Sequence, residues 1–507
     1  MVLALARTRL RLSMSQPRAA RMLYDLLIIG GGINGCAIAR DAAGRGLSVR
    51  LVEQNDLASG TSSASTKLIH GGLRYLELYE FRLVHEALEE RERLLAAAPH
   101  IIWPLKFVLP YEKGLRPLWM LRLGLFLYDH LARRKRLEGS HLAALGDNAL
   151  GAPLRETYNV GFTYADCWVE DSRLVALNAL DAKERGATIS VGARLVQAKR
   201  KGAHWTAKLD GGMEIEARAL VNAAGPWVSQ VIEGALHMHS RKHVRLVKGS
   251  HLVTRRLYDG DHAYILQNPD GRIVFAIPFE HAFTLIGTTD VAYEGAPGEV
   301  AISDAETDYL LDAINHFLRK PVTRADVVWS YSGLRPLYDD GSLNASVVTR
   351  DYAFDLDAPE DGAPVLSIFG GKITTARRLA EHALDELRRF LPAHGEAWTA
   401  GATFPGGDME FDALLARLKS EKPFLGDVLA RRLARAYGTR AERILKHAHA
   451  MADLGRDFGC GLTEAEARYL MENEWARKAD DILWRRSKLG LHMSAEQQLG
   501  LREYMGA

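Results

Sequence analysis

The sequence predicts an α/β fold in which a parallel-sheet domain is joined to an antiparallel-sheet domain and an all-helical C-terminal domain. Three observations predict it. A strand-like apolar run, Tyr24 to Ile29, flows into Gly30-Gly31-Gly32-Ile33-Asn34-Gly35 and a helical pattern, and eighteen positions after Gly35 a second apolar strand ends on Glu53. Period-two segments with turn residues between them recur from 188 to 290. Beyond Phe411, Leu, Ala, Arg and Glu recur at helical spacing, with breaks near Gly438 and Gly459 to Gly461.

The first element is a dinucleotide fingerprint of the Rossmann type. Gly30 permits the tight turn, Gly32 lets the backbone approach a pyrophosphate, and Gly35 lets helix and strand pack closely. The helix start offers free N–H groups and a positive dipole end to phosphates. Glu53 would accept hydrogen bonds from ribose hydroxyls and repel a 2′-phosphate, which disfavours NADP. The motif alone does not separate FAD from NAD.

Next come Ala58 to Ser65 (ASGTSSAS) and Lys67-Leu68-Ile69-His70-Gly71-Gly72. Such loops present many donors in little space, as a ligand wall requires. The strands between 188 and 221 form a β-meander that leads into Asn222-Ala223-Ala224-Gly225-Pro226-Trp227. Flavin-binding Rossmann domains continue in this way, whereas a nicotinamide domain continues as plain βαβ units, so the cofactor shifts toward FAD. A second glycine pair, Gly370-Gly371-Lys372-Ile373-Thr374, feeds another helix and suits the pyrimidine end of a flavin. The candidate FAD-binding residues are Gly30, Gly31, Gly32, Asn34, Gly35, Glu53, Gln54, Thr61, Ser62, Ser63, Lys67, Leu68, His70, Gly71, Gly72, Leu195, Val196, Ala224, Gly225, Trp227, Gly371, Lys372, Ile373 and Thr374.

These features divide the chain of 507 residues. Residues 1–22, with Arg7, Arg9, Arg11, Arg18 and Arg21 and no acidic residue up to Arg21, read as a basic, disordered extension, with a transit peptide or basic tail as the alternative. Residues 23–80, 150–235 and 340–392 form the discontinuous FAD domain, 81–149 and 236–339 a substrate domain, and 400–507 the helical domain. A net charge of +2 argues against a dedicated nucleic-acid binder. Three scattered cysteines give no disulfide or zinc framework and suit a reducing cytoplasm. His237, His239, His243, His447 and His449 lack Cys or carboxylate partners at ligand spacing, so no metal is expected. No apolar stretch is long enough to span a bilayer. The basic, apolar stretch 113–136 reads two ways: an amphipathic helix in a membrane interface, or a buried core helix with a basic cap.

Long runs of the chain, among them IIGGGINGCAIARDAAGRGLSV, TSSASTKLIHGGLRYLE, LVKGSHLV, YSGLRPLYDD, VVTRDY and FGGKITTARRLAEHAL, resemble the FAD-dependent (aerobic, respiratory) glycerol-3-phosphate dehydrogenases. No Asp-rich calcium loop of the mitochondrial branch follows, so the bacterial type is expected. The resemblance implies oxidation of sn-glycerol 3-phosphate to dihydroxyacetone phosphate, with electrons passing from FAD to a membrane quinone. With no spanning helix, no cleavable secretory signal and the basic amphipathic stretch 113–136, the sequence predicts a peripheral protein on the cytoplasmic face of the inner membrane, and a homodimer with the helical C-terminal region as contact surface. By motif matching, Arg335 and Arg74 hold the phosphate, Lys372 lies near the flavin and the substrate oxygens, and Tyr75 and Arg350 line the same pocket. His251 is the candidate base, since imidazole titrates near working pH; the alternative is a satisfied strand histidine. Arg335 has the alternative of a structural ion pair. The rivals for function are a glycerol-3-phosphate oxidase that reduces oxygen, an amine or amino-acid oxidase, and a non-catalytic membrane-bound flavoprotein.

Overall fold

The computed structural model describes residues 22–146, 148–240, 242–339 and 351–506. Arg350 and the five N-terminal arginines lie outside the described residues. The strand Leu23–Ile29 runs parallel to Val49–Glu53 on one side and Glu214–Asn222 on the other. Thr188–Val191 and Val365–Phe369 extend the parallel sheet outward, and Ala353–Asp357 adds an antiparallel edge.

Alternation along Leu23–Ile29 decides what covers each face. Leu26 and Ile28 pack with Ala37, Ala42, Val175, Ala179, Leu379 and Ala383, on the helices Ile33–Gly44, Asp171–Glu184 and Ala376–Leu387. Leu27 and Ile29 pack on the other side with Trp205, Ala207 and Ile215 of the meander Leu195–Lys201, His204–Leu209 and Glu214–Asn222. Small residues on Ile33–Gly44 let it lie close to the sheet. At Gly35 a Cβ would stand 2.0 Å from the carbonyl oxygen of Gly30, so only glycine fits.

The second sheet is centred on Val244–Arg255, which pairs antiparallel with Val327–Tyr338, Phe283–Gly287 and Val291–Tyr293. Ile273–Phe279 and Ala263–Gln267 continue it; Ala263–Gln267 then meets Ile102–Pro110 in parallel, and Ile102–Pro110 pairs with Val160–Val169. Two expectations from the sequence change here. Residues 160–169, placed with the FAD domain, belong to the second sheet, and so does the short strand Leu68–Ile69. A buried apolar run reads alike in either sheet; only its pairing tells them apart.

Phe411–Glu421, Gly426–Tyr437, Glu464–Asn473 and Ala495–Met505 surround their own core, which includes Leu414, Leu433, Leu470 and Leu501. A small hairpin, Asp457–Gly459 with Leu462–Thr463, interrupts the helices there. The stretch 113–136 contains the helix Leu118–His130, which buries only Leu125 and Tyr128. Trp119 is 65% exposed, Leu123 50% and Phe126 56%, so this is a surface helix with an apolar outer face, not a core helix. Among the described residues no helix is long and apolar enough to cross a membrane.

Candidate active site

A cavity of about 500 Å³ opens where the parallel strands end. Its wall includes Gly30, Gly32 and Asn34 after the first strand, Glu53 and Gln54 after the second, and Thr61 and Ser62 of the hydroxyl-rich loop. Leu195, Val196, Ala224, Gly225, Trp227, Gly371 and Ile373 close it. Ser65, at the end of the hydroxyl-rich loop, also lines it, and so do Arg194 and Pro336, which were not foreseen.

The polar groups of this wall suit an FAD. Glu53 accepts the N–H of Gly31 at 2.7 Å and of Asn55 at 2.8 Å, which fixes its carboxylate at the strand end. Burial pushes its pKa up, and those backbone donors oppose the shift. Each oxygen retains a lone pair for a ribose hydroxyl. Ser62 Oγ accepts the Ile33 N–H at 3.0 Å and so ties the hydroxyl loop to the helix start. Asn34 Nδ2 donates to the Gly370 carbonyl at 3.2 Å, while its buried Oδ1 has no partner among the described residues. A buried acceptor left open beside a helix N-terminus is the position a ligand donor would fill.

Several predicted cofactor residues stand outside the wall and act on it from behind. Gly31 spends its N–H on Glu53, and Gly35 is packing. Lys67 points away: its ammonium is buried against both oxygens of Asp171 at 2.9 Å and against the Ser63 carbonyl at 3.1 Å. Leu68 is buried in the core of the second sheet, and Thr374 is buried at the helix entrance. Gly71 donates its N–H to Tyr128 Oη at 2.8 Å, and Gly72, at φ +78°, starts the turn that carries Arg74 and Tyr75. Burial lowers the pKa of His70, with the nearby Lys372 and Arg91 adding to it against Asp166.

The substrate-side residues come together through strand register. Val247 faces Arg335, Gly249 faces Gly333 and His251 faces Tyr331 across Val244–Arg255 and Val327–Tyr338. Residues two apart share a face, so Arg335, Tyr331 and His251 rise from the same side. Glycines make the room: a Cβ on Gly249 would meet the Arg335 guanidinium at 2.3 Å, and one on Gly287 would meet the His251 ring at 2.1 Å. The His251 ring stacks on Tyr331 at 4.7 Å between centroids, and Tyr331 Oη donates to the Ser65 carbonyl at 2.8 Å. His251 Nε2 shares a hydrogen bond with Thr66 Oγ1 at 3.0 Å; its buried Nδ1 has no partner among the described residues. Burial, and then the charges of Arg335 and Lys67, hold the imidazole pKa well below 6.5, so the ring is neutral.

Arg335 donates to the Asp290 carboxylate, to the Thr289 carbonyl at 3.2 Å and to Thr288 Oγ1 at 2.8 Å. The ion-pair alternative is therefore realised, and any phosphate would share the guanidinium with Asp290. Lys372 sets its ammonium 4.0 Å from the centroid of the Tyr75 ring. Arg74 is half-buried beside Tyr75 on the same turn. Thr66, Tyr331, Thr288 and Asp290 were not found from the sequence. Tyr331 had a signal, since it shares the parity of Arg335 along one strand, but the pairing with His251 is a tertiary fact.

A parallel sheet that ends on a dinucleotide cavity, with an antiparallel sheet carrying a buried imidazole beside it, defines a flavin-dependent oxidoreductase. The chain belongs to the FAD dependent oxidoreductase family, whose model matches residues 25–377; residues 397–501 match the C-terminal domain of alpha-glycerophosphate oxidase. It is 53% identical over 490 residues to the glycerol-3-phosphate dehydrogenase of Pseudomonas aeruginosa, covering 95% of each chain. It is 49% identical to the D-erythritol 1-phosphate dehydrogenase of Brucella abortus, covering 95% of this chain and 97% of that one. Among solved structures it resembles the glycerol-3-phosphate dehydrogenase of Bacillus halodurans complexed with FAD, with a TM-score of 0.70 and 27% identity, over 96% of this chain and 94% of that one.

Proposed function

We propose that the chain oxidises sn-glycerol 3-phosphate to dihydroxyacetone phosphate and passes the electrons to a membrane quinone. The observation that carries this reading is that His251 and Arg335 share one face of the second sheet behind the cavity wall: Tyr331, stacked on His251, bonds the carbonyl of the cavity-lining Ser65, and Pro336, next to Arg335, lines the cavity itself. Full-length likeness to the Pseudomonas aeruginosa enzyme supports the same substrate.

FAD, when bound, supplies a two-electron acceptor for the C2 hydride. The protein has to position the alcohol, hold its phosphate and take its hydroxyl proton. His251 is built to take that proton, because Thr66 occupies Nε2, Tyr331 fixes the ring plane, and the open Nδ1 is the acceptor. Arg335 supplies a guanidinium fork and Lys372 an ammonium point charge for the dianion, with Asp290 setting the guanidinium orientation. Tyr75, whose ring carries the Lys372 ammonium on its face, and Arg74 on the same turn would complete the pocket.

A second substrate has a specific motive, because the Brucella abortus relative is named for D-erythritol 1-phosphate. Both esters offer a secondary alcohol next to a phosphorylated carbon arm. Anaerobic addition of each ester to the FAD-loaded protein decides between them. Bleaching by glycerol 3-phosphate at micromolar to millimolar concentration supports the proposal. Reduction by erythritol 1-phosphate alone replaces it, and no reduction by either leaves a non-catalytic flavoprotein. Rapid re-oxidation by oxygen with formation of hydrogen peroxide would move the enzyme to the oxidase class.

The membrane assignment belongs to the same proposal. Trp119, Met120, Leu123 and Phe126 stand outward on Leu118–His130, flanked by Lys113, Arg122 and Arg133. An apolar face bordered by cations suits the cytoplasmic surface of the inner membrane, where a quinone pool is at hand.

A further inference from the structure

The run NEWARKADDILWRRSKLGL is long and unusual, yet the chemistry above gives it no role. It lies in the C-terminal domain, and its charged residues reach the cofactor domain. Arg486 grips both oxygens of Asp56, at 2.8 and 2.7 Å, and Arg485 adds a third bond to Asp56 at 2.6 Å. Arg486 also donates to the Glu474 carbonyl at 3.0 Å. Glu474 in turn receives Arg173, at the start of Asp171–Glu184, and Ser172 Oγ donates to the Arg485 carbonyl at 2.5 Å. Arg486, Glu474 and Arg173 are all buried, as is Asp56.

The position of Asp56 gives this junction its meaning. Gln54 and Asn55 before it and Ser59 and Gly60 after it line the cavity, while Asp56 itself is turned outward into the two arginines. The same loop donates the Ala58 N–H to the Gly31 carbonyl at 3.0 Å, so its placement reaches the phosphate turn. Asp171, next to Ser172, holds Lys67 and receives Ser65 Oγ at 2.7 Å, which fixes the far end of the hydroxyl-rich loop. Both loops that wall the cavity are thus anchored at one buried junction with the C-terminal segment.

We propose that Arg486, with Arg485, is a positioning residue for the FAD site, and that cofactor binding and docking of the C-terminal segment stabilise each other. Removing Arg486 leaves the buried Asp56 only Arg485, which it shares with Asp481, and the relief open to that carboxylate is withdrawal of the 54–60 loop from its place in the wall. Coupling between two sites is reciprocal, so FAD also holds the segment down. The inference rests on the flavoprotein reading. A wild-type protein that bound no FAD would sink that reading, whereas the outcomes below bear on the coupling alone.

The test has two arms. Arg486→Gln should raise the FAD dissociation constant, measured by flavin fluorescence, by about tenfold or more, with Arg486→Lys in between. In the wild type, stripping FAD should raise hydrogen exchange across residues 473–491 while the helix Phe411–Glu421 of the same domain keeps its protection. Wild-type FAD affinity in a folded Arg486→Gln protein overturns the proposal. So does exchange at 473–491 that ignores FAD, and this second arm decides if the variant does not fold.

Discussion

His251 is held in place from all sides, by Tyr331 across the strand pair, Thr66 at one nitrogen and the bare Cα of Gly287. Its neutrality has two measurable effects. The folded protein binds fewer protons here than the unfolded chain, because the pKa is depressed below the ordinary 6.5. This stability is complete above pH 6.5 and drains away as pH falls toward the folded pKa. For the same reason the pH profile of kcat/KM should show no break near 6.5 from this imidazole; a wild-type break there that disappears in His251→Gln would assign the ring an ordinary pKa and contradict the structure. Arg335→Ala should lower kcat/KM for the phosphorylated substrate about a hundredfold, the loss of about 3 kcal/mol of charged hydrogen bonding. Flavin content should stay at the wild-type level, so equal turnover with retained flavin would move the phosphate elsewhere. Arg335 and His251 draw a role from family motifs; Thr66 and Tyr331 lie within such motifs without a role being legible there, and Asp290 lies outside them. They act through register and a returning hairpin, and a linear reading holds neither.

Elements show the same division. The turn from Leu23–Ile29 into Ile33–Gly44 is legible because strand, glycines, helix and Glu53 follow one another closely and each residue type has a local reason. Gly35→Ala should therefore abolish FAD retention, since a methyl would collide with the Gly30 carbonyl; a yellow Gly35→Ala protein with wild-type flavin stoichiometry would disprove that packing. Val160–Val169 was misplaced because its partner, Ile102–Pro110, lies some distance upstream and leaves no local trace. For Leu118–His130 the sequence was balanced between core and interface, and the exposure of Trp119 and Phe126 favours the surface. Replacing both with Ser should strongly reduce cosedimentation with vesicles that contain anionic lipid, while anaerobic flavin reduction by substrate is unaltered. Equal vesicle binding would place the membrane face on another element.

At the scale of the whole molecule, buried ion pairs join the domains. Lys67 enters the second sheet and Asp171 starts a helix of the first, and neither side chain is accessible to water. Asp171→Asn should cost about 3–5 kcal/mol in denaturant unfolding, because it leaves the lysine charge buried and unpaired. A loss under about 1 kcal/mol would mean that water reaches the lysine. Glu306 adds a pH limit. Its carboxyl, bonded to Lys248, Ser303, Ser250 and Thr289, is held down to about 2 from 4.5. Its contribution is present above pH 4.5 and vanishes as acid approaches pH 2, so Glu306→Gln should flatten that part of the acid unfolding curve.

The clasp between Asp56 and Arg486 bridges 430 positions of chain. A ribosome adding about 5–20 residues per second takes roughly 20–90 seconds to travel that distance. Throughout that interval the nascent adenosine-side loop waits for a partner that has not yet been synthesised. On that proposal tight flavin capture waits for residues 473–491, and a polypeptide that stops before residue 473 should hold flavin at least about tenfold more weakly than the whole chain.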